Sequence, residues 1–443
     1  MFGFRLPTVF ARRSVLGVVS GGSLAVCGPH YVAGGMGGVF SEDGEGDGPV
    51  DVNTLKVGGT IQLGGFTVKR MGAAGGEANE GGSPKGEKGA HHRRNAADGT
   101  LAGGFVNPWP SARDPVTSFW LMLPKLLAAR VFGPKAAAPE TSASAPPLRP
   151  VDFGRLTRAT QTPGAMALTW LGHAAFLLSS AEANVLLDPC LSDRCSPLSF
   201  AGPKRVVQPP CSLDELDVDV VVISHNHYDH LDLDVLKKLH AKNNNIVFFV
   251  PLGNKSLLTA AGISNIVECD WWDSFSLSKT TVKTGPITIT CTPCQHFSSR
   301  TAWDRNETLW SSWHLATSSK RFFFGGDTGY RSVFEGETEE GSPTCPAFRE
   351  VRARFGDTDL SALPIGAYEP RHLFSPIHCN PNDAIDVHLD LGSKKSVAMH
   401  WGTFPLGFEG VMEPPIALRE AMKKRGLKED EFLVVDVGET VEA

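Results

Sequence analysis

From Met166 onward, short apolar runs alternate with helical patterns, and this alternation limits the folds that the chain can adopt. The strand-like runs outnumber the helical ones, and several, such as NVLLDP and DVVVIS, are apolar on consecutive residues. Consecutive apolar residues are typical of strands that are covered on both faces. The pattern therefore predicts an α/β protein in which two sheets pack together between outer helices, an αββα sandwich.

Charge and cysteine content exclude some functions. The formal net charge of the 443 residues is -6, so the whole chain has no basic field for nucleic acid, and no nucleic-acid partner is expected. The nine cysteines are an odd number and are scattered along the chain. This distribution favours free thiols in a reducing compartment over a disulfide framework.

The first residues have the composition of a targeting segment. Arg5, Arg12 and Arg13 precede or begin the apolar stretch Val15–Val26, and no acidic residue occurs before Glu42. The glycines that follow argue against a membrane-spanning helix. A mitochondrial or plastid presequence, a secretory signal and an untargeted tail all fit this composition.

A polar, glycine-rich tract continues to residue 104, and residues 1–104 are predicted to form a long disordered N-terminal extension. His91 and His92 lie in this tract. A histidine pair in such a tract can bind a metal, but it is more often solvated surface. We therefore interpret His91 and His92 as solvated.

Residues 105–150 are predicted to be a membrane-docking segment followed by a linker. Apolar residues between Phe119 and Phe132, with Lys125 and Arg130 among them, offer a face that either packs on the main domain or lies in a lipid interface. A stretch rich in Pro, Ala and Ser comes next. Residues 151–443 form the predicted catalytic domain.

The stretch SHNHYDHLD carries the most specific chemistry in the chain. His225, His227, Asp229 and His230 lie within six residues, directly after the apolar run Asp219–Ser224. Imidazole and carboxylate are ligands that zinc prefers, and this spacing offers donors to two ions. A solvated polar loop is the alternative, but few structural needs would group four such side chains.

Three further candidate donors, like the SHNHYDHLD cluster, come just after apolar runs. His296 follows ITITCTP, Asp327 follows RFFFGG, and His400 ends SVAMH. Singly, each has an ordinary explanation as a core histidine or a turn residue. Together, they follow the ends of apolar strands as the first cluster does, so we expect them to meet at one edge of the sandwich.

These motifs resemble the metallo-β-lactamase superfamily, and within it the N-acylphosphatidylethanolamine phospholipase D group. The matching stretches include FVNPWP, WLGH, LLDP, GPKR, SHNHYDHLD, FVPLG, DWW, TPCQH, FFFGGDTGY, PIGAYEPR and HWGTF. The stretches that match the phospholipase D group span Phe105 to the C-terminus, about three quarters of the chain. The resemblance implies a metallo-β-lactamase fold that binds two Zn²⁺ ions per chain. The ligand sets that it implies are His225, His227 and His296 for one ion, Asp229, His230 and His400 for the other, and Asp327 as the bridge.

The resemblance also implies the reaction. A zinc pair makes a nucleophilic hydroxide available near neutral pH, and hydrolysis of N-acylphosphatidylethanolamine yields phosphatidate and a fatty acid ethanolamide. Asp229 and His378 are the catalytic candidates, with His378 orienting the phosphate or relaying a proton. An acidic insertion at Gly336–Pro346 departs from the family pattern and is expected on a surface loop.

The expected partners follow from this substrate. They are a membrane phospholipid and a peripheral membrane surface on the cytoplasmic side, with organelle targeting through the N-terminal segment, and the resemblance implies homodimer formation. Two other functions stay open. One is a hydrolase of the same fold that acts on a lactone or another phosphodiester, and the other is a lipid-binding scaffold with a dead site.

Overall fold

The computed structural model describes residues 52–72, 89–94, 101–113, 145–281 and 284–443. All of them belong to one structural unit, Asp51–Ala443. The N-terminal targeting-like segment and the segment Phe119–Phe132 lie outside the described residues. Among the residues described, no helix combines the length and apolar character that crossing a membrane requires.

Strands form most of the regular structure. Along the chain they are β1 Thr60–Leu63, β2 Phe66–Arg70, β3 His92–Arg94, β4 Leu101–Phe105, β5 Met166–Gly172, β6 Ala175–Ser180, β7 Asn184–Leu187, β8 Val220–Val222, β9 Val247–Pro251, β10 Ile266–Cys269, β11 Ser274–Lys279, β12 Ile287–Thr292, β13 Ser312–Ala316, β14 Arg321–Phe324, β15 Leu360–Pro364, β16 Ser396–Met399, β17 Phe432–Leu433 and β18 Thr440–Glu442. The α-helices are α1 Phe153–Gln161, α2 Leu233–Lys242, α3 Lys255–Ala260, α4 Ala347–Phe355, α5 Arg371–Phe374, α6 Pro381–Asp390 and α7 Glu413–Arg425, with 3₁₀ turns at Val52–Thr54 and Leu213–Glu215.

The strands form two large sheets and a small one. The first sheet has nine strands in the order β1-β2-β11-β12-β13-β14-β15-β16-β17, the second has seven in the order β10-β9-β8-β7-β6-β5-β18, and β3 pairs with β4 alone. Strands β7 to β10 are parallel to one another, as are β14 to β17, whereas β7 and β14 are antiparallel to β6 and β13. Strands β12, β14, β15 and β16 therefore run in one direction in the first sheet, as β5, β7, β8 and β9 do in the second.

The main core lies between the two large sheets, and alternation along β8 shows how it is built. Val220 and Val222 belong to the core that both sheets share, whereas Val221 and Ile223 belong to a second core on the other face. That second core contains apolar residues of α1, α2 and α3, and on the far side of the first sheet α6 packs against β15 and α7. The predicted order of layers, helix-sheet-sheet-helix, is the one observed.

Strands β1, β2 and β3 and most of β4 lie inside the region predicted to be disordered. β1 and β2 form a hairpin around Gly64 and Gly65, and β2 pairs antiparallel with β11. Phe66 and Val68 are buried in the main core. The boundary at residue 104 is therefore wrong for β1 and β2. In TIQLGGFTVKR more exposed and less exposed residues alternate around a two-glycine turn, which is typical of a hairpin.

The interpretation of His91 as solvated surface is also wrong. His91 is 5% exposed and its ring stacks on Trp271 at 4.2 Å between centroids. His92, at the start of β3, is half-buried. Both imidazoles face the carboxylate of Asp270. A partner far along the chain therefore holds two histidines whose neighbours in sequence are polar.

The cysteines in the described part of the chain are free thiols, as expected for a reducing compartment. Cys291 and Cys294 are buried, and burial raises the pKa of both thiols well above the ordinary value. At neutral pH they are protonated and unreactive.

Candidate metal centre

The central motif forms a tight loop between β8 and α2. The backbone amides of His230 and Leu231 both donate to the carbonyl of His227, which closes a turn. Asp232 ends the loop as the N-cap of α2, since its side chain accepts a hydrogen bond from the amide of Val235. A strand end and a capped helix start therefore hold the four predicted donors in place.

The structure brings all the predicted donors together at one edge of the sandwich. His296, Asp327 and His400 follow β12, β14 and β16, which run in the same direction, so their side chains emerge at the same edge. Ligand atoms lie within 4.8 Å of one another in three overlapping groups. These are His225, His227, His296 and Asp327; His173, Asp229, His230 and His400; and Asp327, His378 and His400.

The first group surrounds His227. Its Nδ1 lies 2.7 Å from Nε2 of His225 and 3.3 Å from Nε2 of His296. Asp327 Oδ2 is 4.0 Å from His225 Nε2 and 3.8 Å from His296 Nε2. Three imidazole nitrogens and one carboxylate oxygen thus converge on one point.

The second group lies against Asp327, which belongs to the first. Asp327 Oδ2 lies 3.1 Å from Nε2 of His230, and its Oδ1 lies 3.0 Å from Nε2 of His400. Asp229 Oδ2 is 3.4 Å from each of these two nitrogens. Asp327 therefore touches both groups, as a bridging carboxylate would.

The donors fit a pair of metal ions. His230 Nε2, His400 Nε2 and Asp327 Oδ1 are buried atoms that form no hydrogen bond, although oppositely charged or polar groups lie close by. These atoms lie close together but are not aligned for hydrogen bonds. Cations bound between them would explain this arrangement. The set of histidine nitrogens and carboxylate oxygens matches the donors that zinc takes in proteins. The assignment of individual ligands to individual ions stays a prediction.

Two residues of the site escaped the sequence analysis. His173, after β5, is buried and its Nε2 lies 2.9 Å from Oδ2 of Asp229. Asp188, after β7, is fully buried and accepts a hydrogen bond from Nδ1 of His230 at 2.6 Å. They lie in WLGH and LLDP, which were identified in the sequence only as stretches that match the family, with no role for either residue. Their positions after strands on the same edge are the signal that could have identified them.

Neighbouring groups orient the remaining imidazoles. His225 Nδ1 lies 2.9 Å from the hydroxyl of Ser224, and His296 Nδ1 donates to the carbonyl of Ile377 at 2.8 Å. Asn107, in the segment FVNPWP, donates its side-chain amide to the carbonyl of His296 at 2.8 Å. Such contacts point the free ring nitrogens into the site.

His378 lies beside the two groups. Its ring centroid is 5.3 Å from that of His296 and 5.2 Å from that of His400, and its buried Nδ1 has no hydrogen-bond partner. It precedes α6, whose N-cap is Asn380. The position next to the donors, 3.9 Å from Oδ2 of Asp327, suits a residue that touches substrate.

Glycine is required where two loops of the site meet. Gly326 has φ of 55°, and a Cβ there would lie 2.6 Å from Cβ of Ser224. A Cβ at Gly366 would lie 2.2 Å from the carbonyl oxygen of His400. A side chain at either position would displace a segment that carries metal donors.

Electrostatics favour neutral imidazoles at His227 and His296 and an ionised carboxylate at Asp327. Burial lowers the pKa of His296 to about 3 and that of His227 to about 4. Burial alone would raise the pKa of Asp327, but His230 and His400 outweigh it and hold that pKa well below its usual range. At His400 burial would lower the pKa, but the carboxylates of Asp327 and Asp229 outweigh it and raise that pKa to about 9. Neutral imidazole and ionised carboxylate are the forms that bind metal.

The acidic insertion is anchored to the site instead of being only a surface loop. Most of it is exposed, but Glu339 accepts hydrogen bonds from Arg371 at 3.0 Å and from Asn380 at 2.8 Å. Arg371 also donates to the carbonyl of His378 at 3.3 Å. The insertion therefore supports the segment that carries His378.

Comparisons with known proteins agree with this architecture. Residues 183–401 match the model of the beta-lactamase superfamily domain. The N-acyl-phosphatidylethanolamine-hydrolyzing phospholipase D 1 of Caenorhabditis elegans is 41% identical over 284 residues, which cover 62% of this chain and 75% of that protein. The mitochondrial protein of that name from Saccharomyces cerevisiae is 32% identical over 275 residues, 61% of this chain and 55% of that protein.

Among solved structures, Igni18, a metallo hydrolase of Ignicoccus hospitalis, is similar with a TM-score of 0.45 and 22% identity, over 63% of this chain and 98% of that one. The superfamily domain confirms the predicted metallo-β-lactamase fold. The extent and identity of the match to the worm protein show that the chain belongs to the N-acyl-phosphatidylethanolamine-hydrolyzing phospholipase D family of that superfamily.

Proposed function

We propose that this protein is a zinc-dependent phospholipase D that hydrolyses N-acylphosphatidylethanolamine to phosphatidate and N-acylethanolamine with two Zn²⁺ ions per chain. The observation that carries the proposal is that the carboxylate of Asp327 lies within 4.0 Å of histidine nitrogens of both donor groups. One carboxylate between two sets of histidines is the arrangement of a two-metal hydrolase. The relatives' names supply the substrate class.

The reaction needs an activated water and a stabilised phosphorane-like transition state. A bound zinc pair would supply both, because it lowers the pKa of water and neutralises charge on phosphate oxygens. Water adds to phosphorus, the P–O bond to the ethanolamide breaks, and the leaving oxygen takes up a proton. Phosphatidate retains the oxygen that came from water.

The protein's own residues orient the participants. We assign to Asp229 the binding of one ion, and its carboxylate is held by Nε2 of His173. Burial lowers the pKa of His378 to about 3, so the imidazole is neutral at pH 7 and one ring nitrogen carries a proton. We assign to His378 a hydrogen bond to a phosphate oxygen of the substrate.

An enzyme with a membrane lipid as its substrate must bind the membrane surface. A cavity of about 800 Å³ lies next to the site, with Tyr228 of the central motif in its wall. The loops at its rim carry Leu198, Phe200 and Trp303, which are 48%, 78% and 78% exposed. Exposed aromatic and aliphatic side chains insert favourably into a bilayer interface. These three support peripheral membrane attachment with the cavity facing the lipid.

The compartment is part of the proposal. Arg5, Arg12 and Arg13 with the apolar stretch behind them support delivery to an organelle, and the yeast relative is named mitochondrial. We propose attachment to the cytoplasmic side of an organelle membrane.

The test offers purified protein N-acylphosphatidylethanolamine in mixed micelles, with phosphatidylcholine, a lactone and a bis-aryl phosphodiester in parallel, in water enriched in ¹⁸O. We expect ethanolamide release with ¹⁸O in phosphatidate and none in the ethanolamide. Asp327→Asn protein serves as the control for contaminating activity. Faster hydrolysis of the lactone or aryl diester, with no ethanolamide, would reject the substrate and favour another hydrolase of this fold.

The membrane part is tested separately on vesicles. Phe200→Ser combined with Trp303→Ser should reduce binding to phospholipid vesicles and turnover of vesicle substrate, while turnover of a soluble short-chain diester persists. Leu389→Ser is a matched control, because Leu389 is 45% exposed on α6. Equal vesicle binding by both variants would contradict this docking surface.

A further inference from the structure

A second cluster of metal-binding side chains lies outside the site described above. His91 Nε2 is 2.6 Å from Oδ1 of Asp270, and His92 Nε2 is 2.9 Å from Oδ2 of the same residue. The ligand atoms of the three residues lie within 4.8 Å of one another. Their side chains are 7%, 23% and 33% exposed, so the cluster opens to solvent on one side only.

We propose that His91, His92 and Asp270 form a third metal site that binds one divalent transition-metal ion of the zinc class. Two imidazole nitrogens and a carboxylate oxygen are the ligand set that zinc accepts, with water in the remaining position. The two histidines are adjacent in sequence, and Asp270 lies 178 residues beyond His92. A metal here would therefore join two distant parts of the chain.

The carboxylate is held ready for this role. Oδ1 of Asp270 accepts a hydrogen bond from the amide of Trp271 at 2.8 Å, and the amide of Asp270 donates to Asp273 at 3.0 Å. Trp271 is fixed in turn, because its indole donates to the carbonyl of Trp310 at 2.7 Å. Ligands oriented by such contacts bind metal more tightly than mobile ones.

A metal bound by the three proposed ligands would add a second attachment to the hairpin, beside the buried Phe105 at the end of β4. β3 and β4 pair only with each other in the described part of the chain, and Leu101 on β4 is 65% exposed. A two-stranded hairpin is marginally stable by itself. A metal that binds His91, His92 and Asp270 would attach this hairpin to the turn between β10 and β11.

The attachment also connects to the candidate metal centre. The amide of Val106 donates to the carbonyl of His91 at 2.8 Å, and the next residue, Asn107, donates to the carbonyl of His296. The third site would thus hold the start of a segment that supports one of the predicted ligands. We assign this site a structural role, because its ligands join two distant segments of the chain.

The competing explanation is that the Asp270 carboxylate accepts hydrogen bonds from the two imidazoles, which requires no metal. The two explanations differ in metal content. Tag-free full-length protein is equilibrated with buffered zinc, freed of loose metal by gel filtration, and measured by elemental analysis. We expect three zinc ions per chain in the wild type and two in His92→Ala and Asp270→Asn.

Controls separate this site from the candidate metal centre. His240→Ala removes an imidazole elsewhere on the surface and should leave three ions, whereas Asp327→Asn should lose ions while the third site stays filled. In cobalt-substituted protein, Asp270→Asn should remove one component of the visible absorption. Equal zinc content in the wild type, His92→Ala and Asp270→Asn, all folded by circular dichroism, would overturn the proposal and leave the hydrogen bonds as the explanation. His92 and Asp270 are partly exposed, so these substitutions are expected to permit folding.

Discussion

Replacing Asp188 by Asn should weaken metal binding at the candidate centre although Asp188 is not one of the predicted ligands. Asp188 accepts a hydrogen bond from His230 Nδ1 at 2.6 Å, and two more from Ser224, from the amide at 2.7 Å and from the hydroxyl at 2.5 Å. Its carboxylate fixes the proton of His230 on Nδ1. Nε2 of His230 then presents a lone pair toward Asp327.

Asparagine keeps the shape but replaces Oδ2, the oxygen that accepts from both His230 Nδ1 and the Ser224 hydroxyl. The hydroxyl can rotate to accept instead, so the contact with His230 decides the outcome. The asparagine oxygen can still accept from the amide of Ser224, which turns its NH₂ group toward His230 Nδ1. Two donors would then face each other unless His230 moves its proton to Nε2, and that tautomer has no lone pair for a metal. Loss of such an orienting carboxylate costs about 10–100-fold in metal affinity or activity. This is about 1.4–2.7 kcal/mol at 1.36 kcal/mol per factor of ten.

The assay is a zinc competition against a chromogenic chelator, together with turnover at saturating zinc. Asp219→Asn is the matched control, because Asp219 stands at the opposite end of β8 and pairs with Lys279 at 2.9 Å. The control should keep the metal affinity and lose less than about 1 kcal/mol of stability. If folded Asp188→Asn protein binds zinc as tightly as the wild type, the orienting role of Asp188 is refuted.

Three further outcomes are expected. Asp327→Asn should abolish turnover, whereas His378→Ala should lower it about 10–100-fold with metal retained; equal residual turnover would show that one role is misassigned. Burial lowers the pKa of His314 to about 3, below its ordinary value. The folded state therefore binds fewer protons than the unfolded state, and the stability of the protein falls as the pH drops below about 6.5. His314→Leu should remove about 2 kcal/mol of the loss between pH 7.5 and 5, measured by urea unfolding, and an unchanged loss would contradict burial of the neutral ring. Glu339→Gln should weaken the contact with Arg371 and lower kcat with unchanged zinc content, so loss of zinc instead would mean that the insertion supports the ligands.

The sequence predicted the site better than it predicted the chain's N-terminal part. SHNHYDHLD, His296, Asp327 and His400 follow apolar strands, and a strand end is a local feature that the sequence displays directly. The sheets' directions then bring these ends together, which a pattern of single strands could only suggest. The gathering of all the predicted donors in overlapping groups agrees with that reasoning.

What the sequence missed depends on distant partners. No role was predicted for His173 or Asp188, because their contacts with Asp229 and His230 join segments more than 40 residues apart. His91 was read as solvated for the same reason, since Asp270 lies 179 residues away. Local composition describes the neighbourhood along the chain, whereas burial is decided by neighbours in space.

The hairpin of β1 and β2 limits how the protein can be processed and shortened. Cleavage before Val52 leaves both strands in place, whereas cleavage between residues 72 and 105 removes Phe66 and Val68 from the core. It would also uncover the backbone of β11, which pairs with β2 over Phe275 to Lys279. An uncovered strand edge invites pairing with other chains and aggregation. A mature form that stays in solution must therefore begin ahead of the hairpin, and the part of the chain available to a processing protease ends there.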